Sequence, residues 1–364
     1  MSKHVVIDAR IRKASSGRPI ERLLDNIESL DTENKYTILL SKGDNWRAKA
    51  DNFSVRIVNY KQFSLNPLEQ IGFAWLLYKL KPDVAFFSMT QYPLLYFGKI
   101  VVFTHDLSMF RWAHQGNSNK FVHGIKMLGY KLLFWAGHKK ASKIIVPTKF
   151  VEQDLIQYQP FTKDKIVQIY EAVDLPKQFS PKKPAIQAKK FIFFVGNAFP
   201  HKNLYRLIDA FALIKDKYPE LSLILAGKED YYYKNIKKYV AQNNIKNIEI
   251  TGFVTDSELH WLYQNAEFFI YPSLSEGFGI PPLEAMANDC AVATSNASCI
   301  PEVCGDAAEY FDPNSENSIA GSIEKLMESP RTRTELISKG QKQIKKYSWT
   351  KMSEGIVNTI QKLL

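Results

Sequence analysis

Short apolar runs and longer amphipathic stretches alternate along this 364-residue chain, and the whole alternation occurs twice. In the first half, the β-branched apolar runs at 4–10, 35–41, 54–60, 83–88, 99–105, 143–148 and 166–172 predict strands. In the second half, 191–196, 221–227, 248–253, 268–272, 291–295 and 308–311 predict the same. Runs such as FIFFVG and LSLILAG carry no polar alternation, which suits strands covered on both faces of a parallel sheet. Between the runs, 203–217 sets Leu204, Leu207, Ile208, Phe211 and Ile214 along one stripe, the pattern of a helix packed on a sheet. Stretches 257–265 and 282–287 are shorter helical candidates. Strand–helix alternation implies βαβ units with right-handed crossovers, so each half is expected to be an open α/β domain.

The chain is also longer than one hydrophobic core usually serves. Two domains are therefore expected, at 1–174 and 191–347, separated by a linker at 175–190. That linker, LPKQFSPKKPAIQAKK, is rich in Pro and Lys and has no apolar period. Residues 348–364 are expected to form a helix that returns to the N-terminal domain. Open α/β sheets bind ligands beyond the carboxyl ends of their strands, so the predicted site is a cleft between the two domains.

Lys and Arg exceed Asp and Glu by 48 − 37 = 11. Such a bias fits nucleic acid, an anionic membrane surface or a phosphate-bearing small substrate. The basic residues are dispersed, with pairs at Lys139–Lys140, Lys182–Lys183, Lys189–Lys190 and Lys345–Lys346. No arginine-rich arm, zinc-finger spacing or RNP-type motif accompanies them, so nucleic acid is not an expected partner. Cys290, Cys299 and Cys304 are odd in number and form no CxxC pair, which fits reduced thiols. The start, MSKHVVIDAR, runs straight into a strand without a secretory apolar region. The longest apolar runs, around 71–78 and 132–137, are too short to cross a bilayer. The expected location is cytoplasmic, with peripheral contact at the inner face of the membrane left open.

The segment richest in chemistry is FFIYPSLSEGFGIPPLEAMA, residues 268–287. A strand ends near Pro272, a loop carries Glu276, Gly277, Phe278 and Gly279, and Pro281–Pro282 open a helix. Glycines flanking Phe278 let backbone approach a ligand, and a helix start favours an anionic or oxygen-rich one. Glu276 and Glu284 lie eight residues apart, and a carboxylate is a good acceptor for paired sugar hydroxyls. Alone, each would read as a surface charge; the surrounding glycines and prolines favour a site. Lys202 stands at another helix start, where a cation is unfavourable unless an anion is expected. His105 ends a predicted strand, a place equally suited to packing, and Asp106 beside it reads as a cap for the next helix.

SEGFGIPPLEAMA resembles the E-x7-E motif of the retaining glycosyltransferases of family 4, also called glycosyl transferases group 1. That family has the GT-B fold, two Rossmann-like parallel-sheet domains facing across a cleft. FVGNAFPHKNLYRLIDAF (194–211) resembles its phosphate-binding strand–loop–helix, and VVFTHDLSMF (101–110) its N-domain histidine strand. IIVPTKFVEQDLI (144–156) and IPEVCGDAAEYFDP (300–313) resemble further stretches in the same order.

The resemblance implies a hexosyltransferase in which Glu284 binds the nucleotide ribose and Glu276 the transferred sugar. Backbone N–H groups of Gly277, Phe278 and Gly279 would contact sugar and diphosphate, and Lys202 would neutralise the departing diphosphate. His105 would lie near the donor sugar, and Gly17, in the loop 14–18, near the diphosphate and acceptor. Two departures stand out: that loop keeps one glycine, and Asn197 replaces the arginine that many relatives carry. No aspartates two apart and no HExxH occur, so neither metal nor cofactor is expected.

VGNAFPHKN is similar to mannosyl- and rhamnosyltransferase-like variants, favouring GDP-mannose over a UDP-sugar as donor. The acceptor class is a glycan or lipid-linked sugar. The aromatic, basic stretch 110–140 fits a membrane surface and equally fits helices covering a sheet. A GT-B epimerase and a non-catalytic nucleotide-sugar binder are the alternatives. A dehydrogenase is excluded because no GxGxxG follows the first strand.

Overall fold

The computed structural model describes every residue except 1, 15, 62–63, 91, 113–119 and 176–179. Ser15 of the N-terminal loop, part of the predicted linker and part of the stretch 110–140 therefore lie outside the described residues. Among the described residues, β1 (His4–Asp8), β2 (Lys35–Ser41), β3 (Phe53–Val58), β4 (Val84–Phe87), β5 (Ile100–Phe103), β6 (Lys143–Val146) and β7 (Ile166–Gln168) form one sheet. β8 (Lys190–Val195), β9 (Leu221–Ala226), β10 (Ile248–Gly252), β11 (Phe269–Tyr271), β12 (Val292–Ser295) and β13 (Glu309–Phe311) form another. Each strand falls on a predicted run, shifted by at most a few residues at its ends. Neighbouring strands pair in parallel throughout, Ile7 for instance lying opposite both Ile38 and Phe86.

Strand order is 3-2-1-4-5-6-7 in the first sheet and 10-9-8-11-12-13 in the second. Both orders reverse direction once, between β1 and β4 and between β8 and β11. At such a reversal, loops leave neighbouring strand ends in opposite directions and open a crevice. Each sheet thus presents one preferred ligand position.

The chain divides into two compact units. Of the described residues, the first takes those within Met1–Phe110, Asn117–Glu171 and Ser348–Leu364. The second takes those within Arg111–Gly116 and Ala172–Tyr347. In the first unit, the helix Arg18–Leu30 buries Ile20, Leu23, Leu24 and Ile27 beside β1, and Met352, Ile356, Val357 and Ile360 of the helix Trp349–Gln361 complete that core. Gln361 also donates to the Asp31 carboxylate (3.0 Å), which accepts from Tyr36 as well (2.7 Å). Burial alone would raise the Asp31 pKa, but its amide and hydroxyl donors hold it down at about 2.

In the second unit, Leu204, Leu207, Ile208, Phe211 and Ile214 form the buried stripe of the helix Leu204–Ile214, the five positions the sequence sets in line. The stretch that reads as a contact-poor linker is partly fastened here. Gln187 and Ala188 donate their backbone N–H groups to the Glu249 carboxylate (2.9 and 2.8 Å), and Ile186 is buried.

A buried polar chain runs behind β5. Thr90 and Thr104 hydroxyls meet at 2.8 Å, Thr104 reaches His138 Nε2 at 2.8 Å, and His138 Nδ1 reaches Gln159 Oε1 at 2.7 Å. The amide oxygen can only accept, so Nδ1 carries the proton and Nε2 accepts from Thr104. Burial pushes the His138 pKa down to about 4. The unfolded chain, with an ordinary imidazole near 6.5, then binds the proton that the folded chain refuses. Stability contributed here is full above pH 6.5 and is lost as pH falls toward 4, by on the order of 3 kcal/mol. Urea unfolding from pH 7 to 4 should show this loss, and His138→Gln should flatten that part of the curve. An unchanged slope in the variant would refute the assignment.

Candidate active site

At the reversal in the second sheet, β8 and β11 lie side by side and their following loops carry the predicted donor-binding residues. The β8 loop ends in a single 3-10 turn, Pro200–Lys202, and then Asn203 at φ 61°. Asn203 donates its side-chain amide to the carbonyls of Pro272 (3.2 Å) and Pro313 (2.7 Å). Leu274 N–H donates to the His201 carbonyl at 2.7 Å, and Ser273 Oγ lies 3.2 Å from the same oxygen. These bonds lace the two loops together and fix Lys202 against Glu276.

Lys202 Nζ lies 2.6 Å from Glu276 Oε1 and donates to the Tyr271 hydroxyl at 3.0 Å. Tyr271 in turn donates to Oε1 at 2.7 Å, and Ser273 donates to the same oxygen. Three donors thus converge on Oε1, while Oε2 has no hydrogen-bond partner among the described residues. Only 11% of the Lys202 side chain and 12% of the Glu276 side chain are exposed. Burial would raise the Glu276 pKa, but the Lys202 charge, with His201 and the hydrogen bonds, outweighs it and holds the carboxyl below its ordinary value. Burial, with the Glu276 charge behind it, keeps Tyr271 protonated far above its usual range.

The rest of the motif is built around this pair. The Glu276 N–H donates to Ser298 Oγ (3.1 Å), and Cys299 donates its thiol to the Glu276 carbonyl (3.3 Å). Phe278 is buried and meets Tyr347 edge to face, with ring centroids 5.3 Å apart. Gly279 opens the helix Ile280–Ala287 at φ +86°, and a Cβ there would come within 2.6 Å of Ile300. The left-handed φ demands glycine, whereas the Ile300 contact is with a side-chain end that can give way. Glu284 is half-buried on that helix, and its charge is among those that raise Tyr271. Asn197 accepts from the Phe199 N–H (3.3 Å), a contact inside its own loop. Cys290, Cys299 and Cys304 are all free and buried.

In the first unit, Gly17 lies in the loop after β1 and His105 follows β5, the neighbour of β4. His105 Nε2 donates to the Ser88 carbonyl (3.0 Å), and Nδ1 lies 3.2 Å from Glu171 Oε1. Both partners are acceptors, so both nitrogens are satisfied only in the imidazolium. Burial opposes that charge, but Glu171 and then the Ser88 carbonyl overcome it and raise the His105 pKa. This contribution to stability is full below pH 6.5 and fades as pH rises through the higher folded value, a window separate from that of His138. His105 also lines a narrow crevice with Ser16 and Ser88. Gly17 precedes the helix Arg18–Leu30, and a Cβ on it would sit 2.3 Å from the Ile11 carbonyl oxygen. Its role in the fold is therefore steric. Asp106 accepts from Ser108 N–H (2.8 Å) at the start of the next helix, as a cap does.

Tyr271, Ser273, Ser298, Cys299 and Glu171 escaped the sequence reading. Tyr271 and Ser273 had a signal, standing five and three residues before Glu276 where the strand turns into its loop. The other three are joined to the site only through the fold. Among the described residues, no group of three or more His, Cys, Asp or Glu is arranged to hold a metal ion.

Two parallel-sheet α/β units are the architecture of the GT-B fold. The model for Glycosyltransferase Family 4 matches residues 37–177, and that for Glycosyl transferases group 1 matches residues 176–343. The chain belongs to this family and is a glycosyltransferase. It is 27% identical to the O-antigen chain mannosyltransferase B of Escherichia coli over 70% of this chain and 68% of that protein. It is also 27% identical to the O-antigen chain mannosyltransferase RfbU of Salmonella typhimurium, over 64% of each. The structure of HepE from Anabaena, in complex with UDP and glucose, shares the fold with a TM-score of 0.74 at 14% identity, covering 99% of this chain and 100% of that one.

Removing one partner of a buried ion pair typically costs about 3–5 kcal/mol, because the other charge is stranded. Lys202→Met should therefore lower the melting temperature sharply. Adding Glu276→Gln should recover part of that loss by removing the stranded charge. Additive losses in the double variant, measured by urea unfolding, would show that the pair is not coupled.

Proposed function

We propose that this chain moves a hexose, mannose by preference, from a nucleotide-sugar to a glycan or lipid-linked sugar, with retention of configuration and without metal. The observation that carries this reading is the buried Lys202–Glu276 pair at the strand-order reversal of the second sheet. Oε1 is consumed by three internal donors, so Oε2 is the atom left to accept a sugar hydroxyl. Lys202 is held in place before any donor arrives. A cation preorganised where leaving-group charge develops lowers the barrier more than one that must be recruited. Glu284 accepts the ribose hydroxyls, and the backbone of Gly277, Phe278 and Gly279 meets sugar and diphosphate. Asn197 offers an amide where an arginine would offer charge, which leaves Lys202 the principal cation. His105 serves the sugar as a fixed positive charge, because both of its ring N–H groups are already given to Glu171 and Ser88.

Mannose is supported by the two O-antigen mannosyltransferases, and GDP-mannose is the donor proposed. A UDP-sugar is the second reading, favoured by the structural likeness to a protein solved with UDP and glucose. The location that suits this reaction is the cytoplasm or the inner face of its membrane.

A ligand that binds only the folded chain stabilises it by about 2.7 kcal/mol at a concentration 100 times its Kd. GDP and GDP-mannose should raise the melting temperature more than UDP and UDP-glucose, and the rise should persist in EDTA. Lys202→Ala should abolish it. A response to uridine nucleotides alone would move the donor to a UDP-sugar. No response to any nucleotide would refute the donor site.

A further inference from the structure

Two helices of the first unit are apolar on the side that faces away from its core. The helix Pro67–Leu80 buries Phe73, Ala74, Leu76 and Leu77, yet leaves Leu68, Ile71, Trp75 and Tyr78 outside, Leu68 being 78% exposed. The helix Lys120–Lys140 buries Leu133 and Phe134 and leaves Ile125, Leu128, Leu132 and Trp135 outside, Leu128 being 70% exposed. Both outer sets follow the spacing i, i+3, i+7, i+10, which on a helix is a single stripe.

The stripes are physically joined. A Cβ on Gly129 would touch Leu65, just ahead of the first helix. The segment 92–97 is bound to both helices. Tyr78 donates to the Leu95 carbonyl (3.0 Å) and accepts from Phe97 N–H (3.1 Å), and Lys140 donates to the Leu94 carbonyl (2.6 Å). Leu95 and Phe97 are themselves exposed, so the segment extends the apolar face. Eight of the ten large side chains named are half or more exposed, an apolar surface of the kind that marks an interaction site.

Charge identifies what the face meets. Lys126, Lys131, Lys139 and Lys140 punctuate the second helix, which contains no Asp or Glu, and the first helix has Glu69 as its sole acid. Lys79 lies over the Trp75 ring at 3.5 Å and Lys140 over Phe97 at 3.8 Å, ammonium groups held against the faces of exposed aromatic rings. A second copy docked by two-fold symmetry would set these lysines against one another. A surface of lipid phosphates answers them, and acyl chains answer the stripes between. No helix among the described residues is long and apolar enough to cross a membrane, so the contact is with a surface.

We propose that the outer face of the helices Pro67–Leu80 and Lys120–Lys140, with the segment 92–97, is a docking surface for an anionic phospholipid bilayer. The inference deepens the lipid-linked acceptor reading above, but its test needs neither donor nor acceptor. Failure here therefore leaves the donor site untouched.

The full chain is floated with phosphatidylcholine vesicles and with vesicles containing about 30% phosphatidylglycerol, at about 0.15 M salt and again at about 1 M. Binding should appear with phosphatidylglycerol and weaken at high salt. Lys126→Ala with Lys131→Ala should weaken it roughly 25-fold, about fivefold per lysine. Leu128→Glu with Trp135→Glu should abolish flotation while leaving the melting temperature and its shift by nucleotide unchanged, as should Trp75→Glu with Ile71→Asn in a separate variant. Equal flotation with and without phosphatidylglycerol, or full binding by the glutamate variants, would overturn the proposal. So would a dimer in solution that the same variants dissociate, because a second copy would then be the occupant.

Discussion

Everything around the loop that follows β11 depends on keeping a carboxylate charged where water scarcely reaches. Taking a carboxylate and an ammonium out of water costs several kcal/mol per ion, recovered only if the partners are close and the remaining lone pairs satisfied. Glu276 meets that condition on one oxygen, through Lys202, Tyr271 and Ser273. The surrounding architecture can be understood as what this requires. Asn203 ties the β8 loop to the carbonyls of Pro272 and Pro313, while Ser298 and Cys299 hold the Glu276 backbone from the other side. Phe278 anchors the next turn in the core. A site held this tightly cannot reorganise much when a ligand arrives, and a preorganised charge is most effective in transition-state stabilisation.

The first unit meets the same problem with a different residue. His105 follows β5, the neighbour of β4, and carries its charge because Glu171 and the Ser88 carbonyl both demand a donor. The residue before it, Thr104, feeds the opposite case: His138 has a hydroxyl and an amide for partners, and neutral imidazole is the form that satisfies them. Two histidines near one strand thus have pKa values displaced in opposite directions by the identity of two oxygen atoms. Burial is common to both; the partner decides the sign.

That contrast shows what the sequence could and could not disclose. All thirteen strands were legible, because runs such as FIFFVG leave few alternatives to a doubly covered strand. Glu276, Lys202 and the glycine-proline punctuation were legible as residue types suited to a phosphorylated sugar. Their direct contact was not, since they are 74 positions apart and meet only because β8 and β11 are neighbours. Tyr271 was read as the end of a strand, although its hydroxyl bridges both charges. Gly17 was weighed for its approach to a ligand, whereas the fold requires glycine there for want of room beside Ile11 and Arg12. The stretch 180–190 lacked apolar periodicity, yet it is fastened by a carboxylate, Glu249, which no hydrophobic pattern can foresee.

Periodicity also fails where a helix is apolar on two sides. From sequence, the stretch ending at Lys140 fitted a sheet-covering helix and a membrane-facing one equally, and the fold gives that helix two apolar sides. Leu133 and Phe134 cover the sheet, while Leu128, Leu132 and Trp135 look outward from the same turns. A helix with one apolar face has its environment written in its pattern. A helix with two has only its charges left to say which side is wet, and here the lysines lie among the outward residues. The basic excess of the chain thus has two physically distinct parts. Lys202 is buried, paired and fixed, so its charge acts at one point; the lysines of the outer helix act together, as a field that meets phosphate groups arrayed in a plane.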